Sequence, residues 1–518
     1  MKLKVIAFSL AALMQVTAHA AQPYHLEETS IANIQAALKS GKLSCANLVD
    51  AYLARVAAYD KQGPALNAVL TINPAAHEIA VAKDAEFKKT GKLSGPLHCI
   101  PVAAKDNYNT VDMPTTGGSE ALKGVHPSVE STVTRKLREA GAIILMKTNM
   151  HELALSGTTV SSLGGQTRNP YDLSRTPGGS SGGTGVAIAA NFAAVGLGSD
   201  TVNSIRSPAS ANSLVGFRPT FGLISRAGVI PVSDTQDVVG PITRSVTDAT
   251  IMLDALAGFD AADVPTARSV GKIPKSYTAS LDAHGLKGAR IAVLKTFLGT
   301  QPEHAEVNLA MAQAVATLKK AGATVVEIND PVFDAAAIIN DYDVQKWEFK
   351  TLFNSYLQSL GDATPVKSLT ELIASGKFNK PTLEKFLNAT NAIEAPREQK
   401  EYLLRLAKLD GLRDRLLMRM KEQNVDSIIY PLQKRLVVPI GELNQADRNG
   451  ILSAMTGFPA FTVPIGFSQP TASAPIGVPI GMDIMARPFE EARLVKIAYA
   501  FEQASKVRKP PLSTPPLK

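Results

Sequence analysis

Serine hydroxyls crowd two short stretches of this chain. Pro177–Gly185 reads PGGSSGGTG, and Gly198–Ser210 reads GSDTVNSIRSPAS. Hydroxyls and backbone amides dominate both, and neither stretch has the bulk to fill a core. Small residues let a main chain approach a ligand closely, and serine becomes a nucleophile when a base stands beside it. A phosphate cradle is the first alternative. It requires Lys and then Ser or Thr after the last glycine, and PGGSSGGTG has no lysine. The same run satisfies G-x-S-x-G twice, centred on Ser180 or Ser181. In an α/β-hydrolase that motif is followed by an acid and then a histidine. Of eight histidines only His284 and His304 follow it, the first in the turn-like DAHGLKG and the second at a helix start. A Ser–His–Asp enzyme is not expected. The sequence has no H-E-x-x-H or similar cluster, so a metal hydrolase is not expected either.

A serine nucleophile without histidine needs another base, and lysine can serve if it is neutral. Its free pKa of about 10.4 has to fall, and burial lowers it by as much as about 3–5 units. Lys105, closing the apolar run of HCIPVAAKDNYNT, is the candidate. The plainer alternative is a surface lysine at a strand end.

The elements that must position these groups follow one grammar. STVTRKLREAGAIILMKTN, PEHAEVNLAMAQAVATLKKAGATVVEI and LRDRLLMRMKEQNVDSIIYP each run from a helix through a small or turn residue into a strand. In the second, Val307, Met311, Val315 and Leu318 recur at helical spacing, and Gly322 ends the helix before the β-branched run 324–328. CIPVAAK, FTVPIGF and GMDIMA read as further strands. Such alternation predicts an α/β fold with a mostly parallel or mixed sheet covered by helices. Residues of about 330–425 differ, being helix-rich with no strand signal. They hold Trp347 and the stripe Leu409, Leu412, Leu416, Met420. This region reads equally as a helical subdomain on the sheet and as a lid shaping a pocket.

Composition narrows the class. The chain has 518 residues, 45% hydrophobic and 19% charged, ordinary values for a globular protein with a large core. The net charge of +8 is scattered, with its densest groups at KKTGK (88–92) and in the Pro-rich tail. No stripe interleaves basic and aromatic residues, so nucleic acid is not an expected partner. At the N-terminus Lys2 and Lys4 precede VIAFSLAALMQV and then Ala18-His19-Ala20. A basic start, a short apolar run and an A-x-A site predict a signal peptide over 1–20, cleaved near Ala20. The run is too short to span a bilayer. A soluble mature protein, periplasmic or secreted, is expected, with no membrane partner after cleavage. Cys45 and Cys99 allow one intramolecular bridge, but the expectation is two buried small hydrophobes rather than a bridge or a metal site.

These residues carry a resemblance to the amidase signature family. That family has a lysine in G-I-P-V-x-V-K-D, matched here by CIPVAAKDN. Its hallmark G-G-S-S-G-G, followed by G-T-D-T-G-G-S-I-R-x-P-A, is matched by Gly178–Gly183 and Gly198–Ala209. GFRPTFGLISRAGVIPVSDTQDVVGPITRSVTDA, TGFPAFTVPIGF and GVPIGM also resemble it, and the likeness covers about residues 25–505. The resemblance implies one amidase domain over 21–518, with the helix-rich subdomain inside it. It also implies a central mixed sheet of about eleven strands. It assigns Ser204 as nucleophile, Ser180 as the second serine after a cis peptide bond, and Lys105 as base. The oxyanion hole falls on the amides of Thr201, Val202, Asn203 and Ser204. Ser181 supplies a supporting hydroxyl, and Asp200 and Arg206 brace the loop. No cofactor or metal is required, and a homodimer is left open.

The sequence departs from the family in three places. Val202-Asn203 stand where Gly-Gly is usual, Ser199 replaces Thr, and Cys99 replaces Gly. Every amide donor survives, because neither residue 202 nor 203 is proline. Val tolerates only negative φ, so residue 202 must adopt it if the hole is intact. The expected activity is hydrolysis of a small-molecule carboxylic amide, with esters also open, through a serine acyl-enzyme. Two rivals remain: an A-type amidotransferase subunit, and a non-catalytic binding protein on the same scaffold.

Overall fold

The computed structural model describes residues 24–517, so the expected leader over 1–20 lies outside the described residues. The described residues form thirteen strands: β1 (Val69–Ile72), β2 (Pro101–Lys105), β3 (Ile143–Thr148), β4 (Val160–Ser161), β5 (Gly165–Gln166), β6 (Val195–Asp200), β7 (Val215–Arg218), β8 (Val238–Thr243), β9 (Arg290–Leu294), β10 (Thr324–Ile328), β11 (Ser427–Pro431), β12 (Ala460–Phe467) and β13 (Pro479–Met485). Eleven form one sheet in the order β1-β3-β2-β6-β8-β7-β12-β13-β11-β9-β10, while β4 and β5 make a small hairpin. The sheet is mixed. Parallel pairs β3·β2·β6 and β11·β9·β10 flank a centre in which β6, β8, β7, β12, β13 and β11 run antiparallel in turn. The α/β class and the eleven strands agree with the sequence reading.

All three helix-to-strand segments form as read. Thr132–Glu139 leads to β3, Ala305–Lys320 to β10 and Lys400–Glu422 to β11. Each joint contains a left-handed residue, Gly141, Gly322 or Asn424. That geometry reverses the chain after a helix and suits glycine or asparagine. Strands near the middle of the sheet, such as β2, β6 and β8, are buried along their whole length. Their sequences are accordingly continuous apolar or small runs rather than alternating ones.

Between β10 and β11 the chain is helical from Ala335 to Glu422. The stripe Leu409–Leu412–Leu416–Met420 is buried with Phe297, Tyr430 and Met455 in one apolar cluster, which also takes in Val202. Phe349, Phe353 and Leu357 join Leu122, Met150 and Ile230 in another. The helical region thus packs both on the sheet and over the loops at its edge. Among the described residues, no helix is long and apolar enough to cross a membrane.

The cysteines correct the sequence reading. Cys45 and Cys99 form a disulfide, with Cα atoms 5.5 Å apart and a sequence separation of 54. The N-terminus of the helix Cys45–Tyr59 abuts the turn before β2, within the reach of a bridge. The same turn explains why glycine is usual at 99: Cys99 has φ +61°, a left-handed conformation that side chains disfavour. Here a cysteine accepts that conformation, and the crosslink ties the turn down.

Candidate active site

Parallel pairing of β2 with β6 brings their C-terminal ends to one edge of the sheet. Lys105 is the last residue of β2 and Asp200 the last of β6. The run PGGSSGGTG reaches the same edge and turns into the buried helix Gly182–Ala189. Close packing dictates its composition. Gly178 has φ +71°, and a Cβ there would stand 2.8 Å from the carbonyl oxygen of Ser207. A Cβ on Gly183 would collide with the carbonyl of Asn149. The bond Gly179–Ser180 is cis. The Ser180 carbonyl accepts from the backbone N–H of His151 at 2.9 Å.

Lys105 is fully buried, and its Nζ donates to Ser180 Oγ at 2.7 Å and Ser199 Oγ at 2.8 Å. Asn107 Nδ2 donates to the same Ser199 hydroxyl at 2.9 Å. Burial pulls the Lys105 pKa down to about 7, against the opposing pull of Asp200 and Asp237. A large neutral fraction near pH 7 follows, which is what a lysine base requires. Ser181 is a neighbour rather than a partner of this lysine. Its amide donates to the Ser204 carbonyl at 3.2 Å and its hydroxyl to the Ser199 carbonyl at 3.3 Å.

The loop Thr201–Ile205 is held from beneath. Arg206 donates through Nε to Asp200 Oδ2 (3.1 Å), through Nη1 to Asp483 Oδ2 (2.5 Å), and through Nη2 to the carbonyls of Val202 (2.6 Å) and Gly450 (2.7 Å). Arg218 Nη1 donates to Asp200 Oδ1 at 2.8 Å. All four charged groups are buried. Burial opposes charge on Arg206, but the Asp200 and Asp483 carboxylates outweigh it and hold its pKa above the usual arginine range. Thr201 Oγ1 donates to Asp237 Oδ1 at 2.6 Å. Neither Val202 nor Asn203 has positive φ, so valine is tolerated at 202. Gly450 makes room for Asn203: a Cβ at 450 would lie 2.6 Å from Asn203 Cβ.

This bracing orients the main chain. In a trans peptide the C=O and the following N–H point opposite ways, so a Val202 carbonyl drawn to Arg206 turns the Asn203 N–H away from it. Among the described residues, none of the amides of Thr201, Val202, Asn203 and Ser204 donates a hydrogen bond. These four residues line a cleft of about 160 Å³ together with Leu155, Ile339 and Phe386. Four successive unpaired N–H groups beside a serine can stabilise an oxyanion. Among the described residues, no hydrogen bond joins Ser180 Oγ to Ser204 Oγ.

Five contributors to this geometry escaped the sequence reading. Asn107 and Ser199 anchor Lys105, Asp237 anchors Thr201, and Arg218 and Asp483 complete the ion network. Asn107 was signalled only by its place in KDN; Asp237 and Asp483 carry no local signal. His151, which precedes the serine runs, is also close. Burial first, and then Lys105, pushes its pKa down to about 3, so it is neutral at working pH.

The amidase family profile matches residues 47–495. The chain belongs to the amidase family and is an amide-hydrolysing enzyme. A probable amidase of Arabidopsis thaliana is 35% identical over 94% of this chain and 92% of its own. The A-type subunit of the glutamyl-tRNA(Gln) amidotransferase of Gloeobacter violaceus is 33% identical over 93% of this chain and 97% of its own. Among solved structures, the native peptide amidase of Stenotrophomonas maltophilia matches with a TM-score of 0.85 and 36% identity. That match covers 94% of this chain and 98% of that one.

Proposed function

We propose that the enzyme hydrolyses a carboxylic amide through an acyl-enzyme on Ser204, with Ser180 and Lys105 relaying the proton. The observation that carries this is the row of four unpaired amides ending at Ser204, next to a buried lysine bonded to Ser180. Neutral Lys105 takes the Ser180 proton, and Ser180 takes that of Ser204 as its Oγ bonds to the substrate carbonyl carbon. The amides of 201–204 hold the resulting oxyanion. Collapse breaks the C–N bond while the relay returns the proton to the leaving nitrogen. Water then attacks the acyl group, the relay takes its proton and restores it to Ser204, and the carboxylic acid leaves. For the relay to operate, Ser180 and Ser204 hydroxyls must come within hydrogen-bond reach when substrate binds. Export through the N-terminal leader is part of this reading, and N-terminal sequencing of the active protein tests it: the chain should start near Ala21.

A second reading, as one component of an amidotransferase, is favoured by the likeness to the Gloeobacter violaceus protein. Labelling with a fluorophosphonate, followed by a panel of aryl, aliphatic and amino-acid amides, separates the two. A free-standing amidase turns over amides alone and carries the adduct on Ser204. Turnover only of glutamine, and only with added partner proteins, favours the second reading. An adduct on Ser180 or Ser181 overturns the nucleophile.

A further inference from the structure

Among the described residues, the charged groups beneath the nucleophile loop are paired. Arg206 and Arg218 are locked to carboxylates. Arg448 lines the same cleft as Ser204, yet its guanidinium has no ion pair and no hydrogen bond among the described residues. It is half-buried, and burial pulls its pKa below the usual range, only partly offset by Asp343. A half-buried guanidinium with no protein acceptor keeps its donors for solvent or ligand, and a charged acceptor placed in the cleft makes a stronger bond there than it would on an open surface.

Arg448 also lines a second cavity of about 210 Å³, which shares Val202 and Ile339 with the first. Its remaining walls are mainly apolar, and it reaches Lys434, whose amine also has no ion pair among the described residues. The one acid on that wall, Asp447, already faces His304 Nε2 at 3.3 Å and Arg435 Nη1 at 3.9 Å. Asp343 lines the first cavity and not the second, and its Oδ1 accepts from Gln345 Nε2 at 2.8 Å. The second cavity is therefore a largely apolar recess with two cations that form no ion pair among the described residues, and it shares Val202, Ile339 and Arg448 with the cleft of Ser204.

We infer that this chamber is a subsite for a carboxylate carried by the substrate beyond its scissile amide, with Arg448 as principal ligand and Lys434 as second. The planar guanidinium fork matches a carboxylate bidentately, and the ammonium adds a point charge. This names the substrate class, half-amides of dicarboxylic acids, and rests on Ser204 as the reacting serine.

The test measures binding apart from turnover. Calorimetry on the mature S204A protein compares monoamides of glutaric to suberic acid with their methyl esters. The best-fitting monoamide should bind about 10–100-fold tighter than its ester, the range of a charge-assisted hydrogen-bonded pair. Arg448→Met in that background should erase the difference while leaving the ester unchanged, which also shows that the site is folded. Arg448→Lys should keep part of it, and Lys434→Met should reduce it less. Equal affinity for acid and ester, no binding of any monoamide, or an equal loss of both ligands in R448M would overturn the subsite. Wild-type turnover of neutral amides without preference for the acids overturns this inference alone. Tight, Arg448-dependent binding without wild-type turnover overturns the hydrolase mechanism and leaves the subsite standing.

Discussion

The loop Thr201–Ser204 and the helical stretch Ala335–Glu422 face one cleft and are held in opposite ways. Beneath the loop lies a buried lattice of arginines and carboxylates that fixes main-chain atoms. The helices are fixed by apolar stripes, and they present Ile339 and Phe386 to the cleft. Directional bonds place N–H groups to fractions of an ångström, which charge stabilisation needs. Apolar packing places a surface, which is enough for substrate fit. On the proposed mechanism the two regions divide reaction from recognition.

The largest effect should come from the loop. Ser204→Ala should lower kcat by roughly 10⁴–10⁶-fold, in the range of removing a serine nucleophile, and should abolish fluorophosphonate labelling. Ser181→Ala should only weaken turnover. Full labelling of Ser204→Ala would break the division at once.

Next in size is the base. Lys105→Ala should depress amide hydrolysis about 10²–10⁴-fold, the usual worth of general acid–base catalysis. An aryl ester with the same acyl group should suffer far less, because a phenoxide departs without a proton. The Lys105 pKa lies near 7, below its usual range, so the competent neutral amine accumulates as pH rises. Wild-type rates should therefore climb through about pH 7 and level off, and that limb should be missing from the variant. Equal losses on amide and ester with the limb intact would make Lys105 structural.

Stability sharpens the contrast further. Arg206→Met leaves Asp200 and Asp483 buried without their shared partner and should cost about 3–5 kcal/mol in urea unfolding. Removing the crosslink with Cys45→Ala and Cys99→Ala together should cost about 2–4 kcal/mol, since it closes a loop of more than fifty residues. The pH limb should survive that change. Smallest of all, Phe386→Ala should raise KM for bulky amides by roughly tenfold, about the worth of one apolar contact surface, with kcat nearly unchanged. A large fall in kcat would mean that the helical region shapes the reaction as well.

How much of this could be read in the chain depends on what kind of constraint each residue answers. Helix-to-strand units were legible because apolar spacing and turn residues are local signals, and all three formed. Lys105 was legible as a buried group because it closes an apolar run. Ser199 was visible only as a departure from Thr, and its grip on Lys105 depends on β2 and β6 lying side by side. Asp483 lies 277 residues from Arg206, and only the sheet brings the two together. The disulfide was misread for the same reason: whether a helix start meets a turn 54 residues on is a matter of tertiary packing. Arg448 stands apart in another way, since what singles it out is that its guanidinium forms no ion pair or hydrogen bond among the described residues.

The contact between Asn203 and Gly450 couples the choice of residue at the two positions. Where position 203 is glycine, position 450 is relieved of that 2.6 Å contact, but a side chain at 203 requires that 450 be bare. Gly450 has φ −61°, so its backbone would accept another residue, and Asn203 is the nearest obstacle. Asn203 and a side chain at position 450 therefore exclude one another: the side chain that narrows the mouth holds its neighbour to glycine, while the four main-chain N–H groups of 201–204 stay without partners among the described residues.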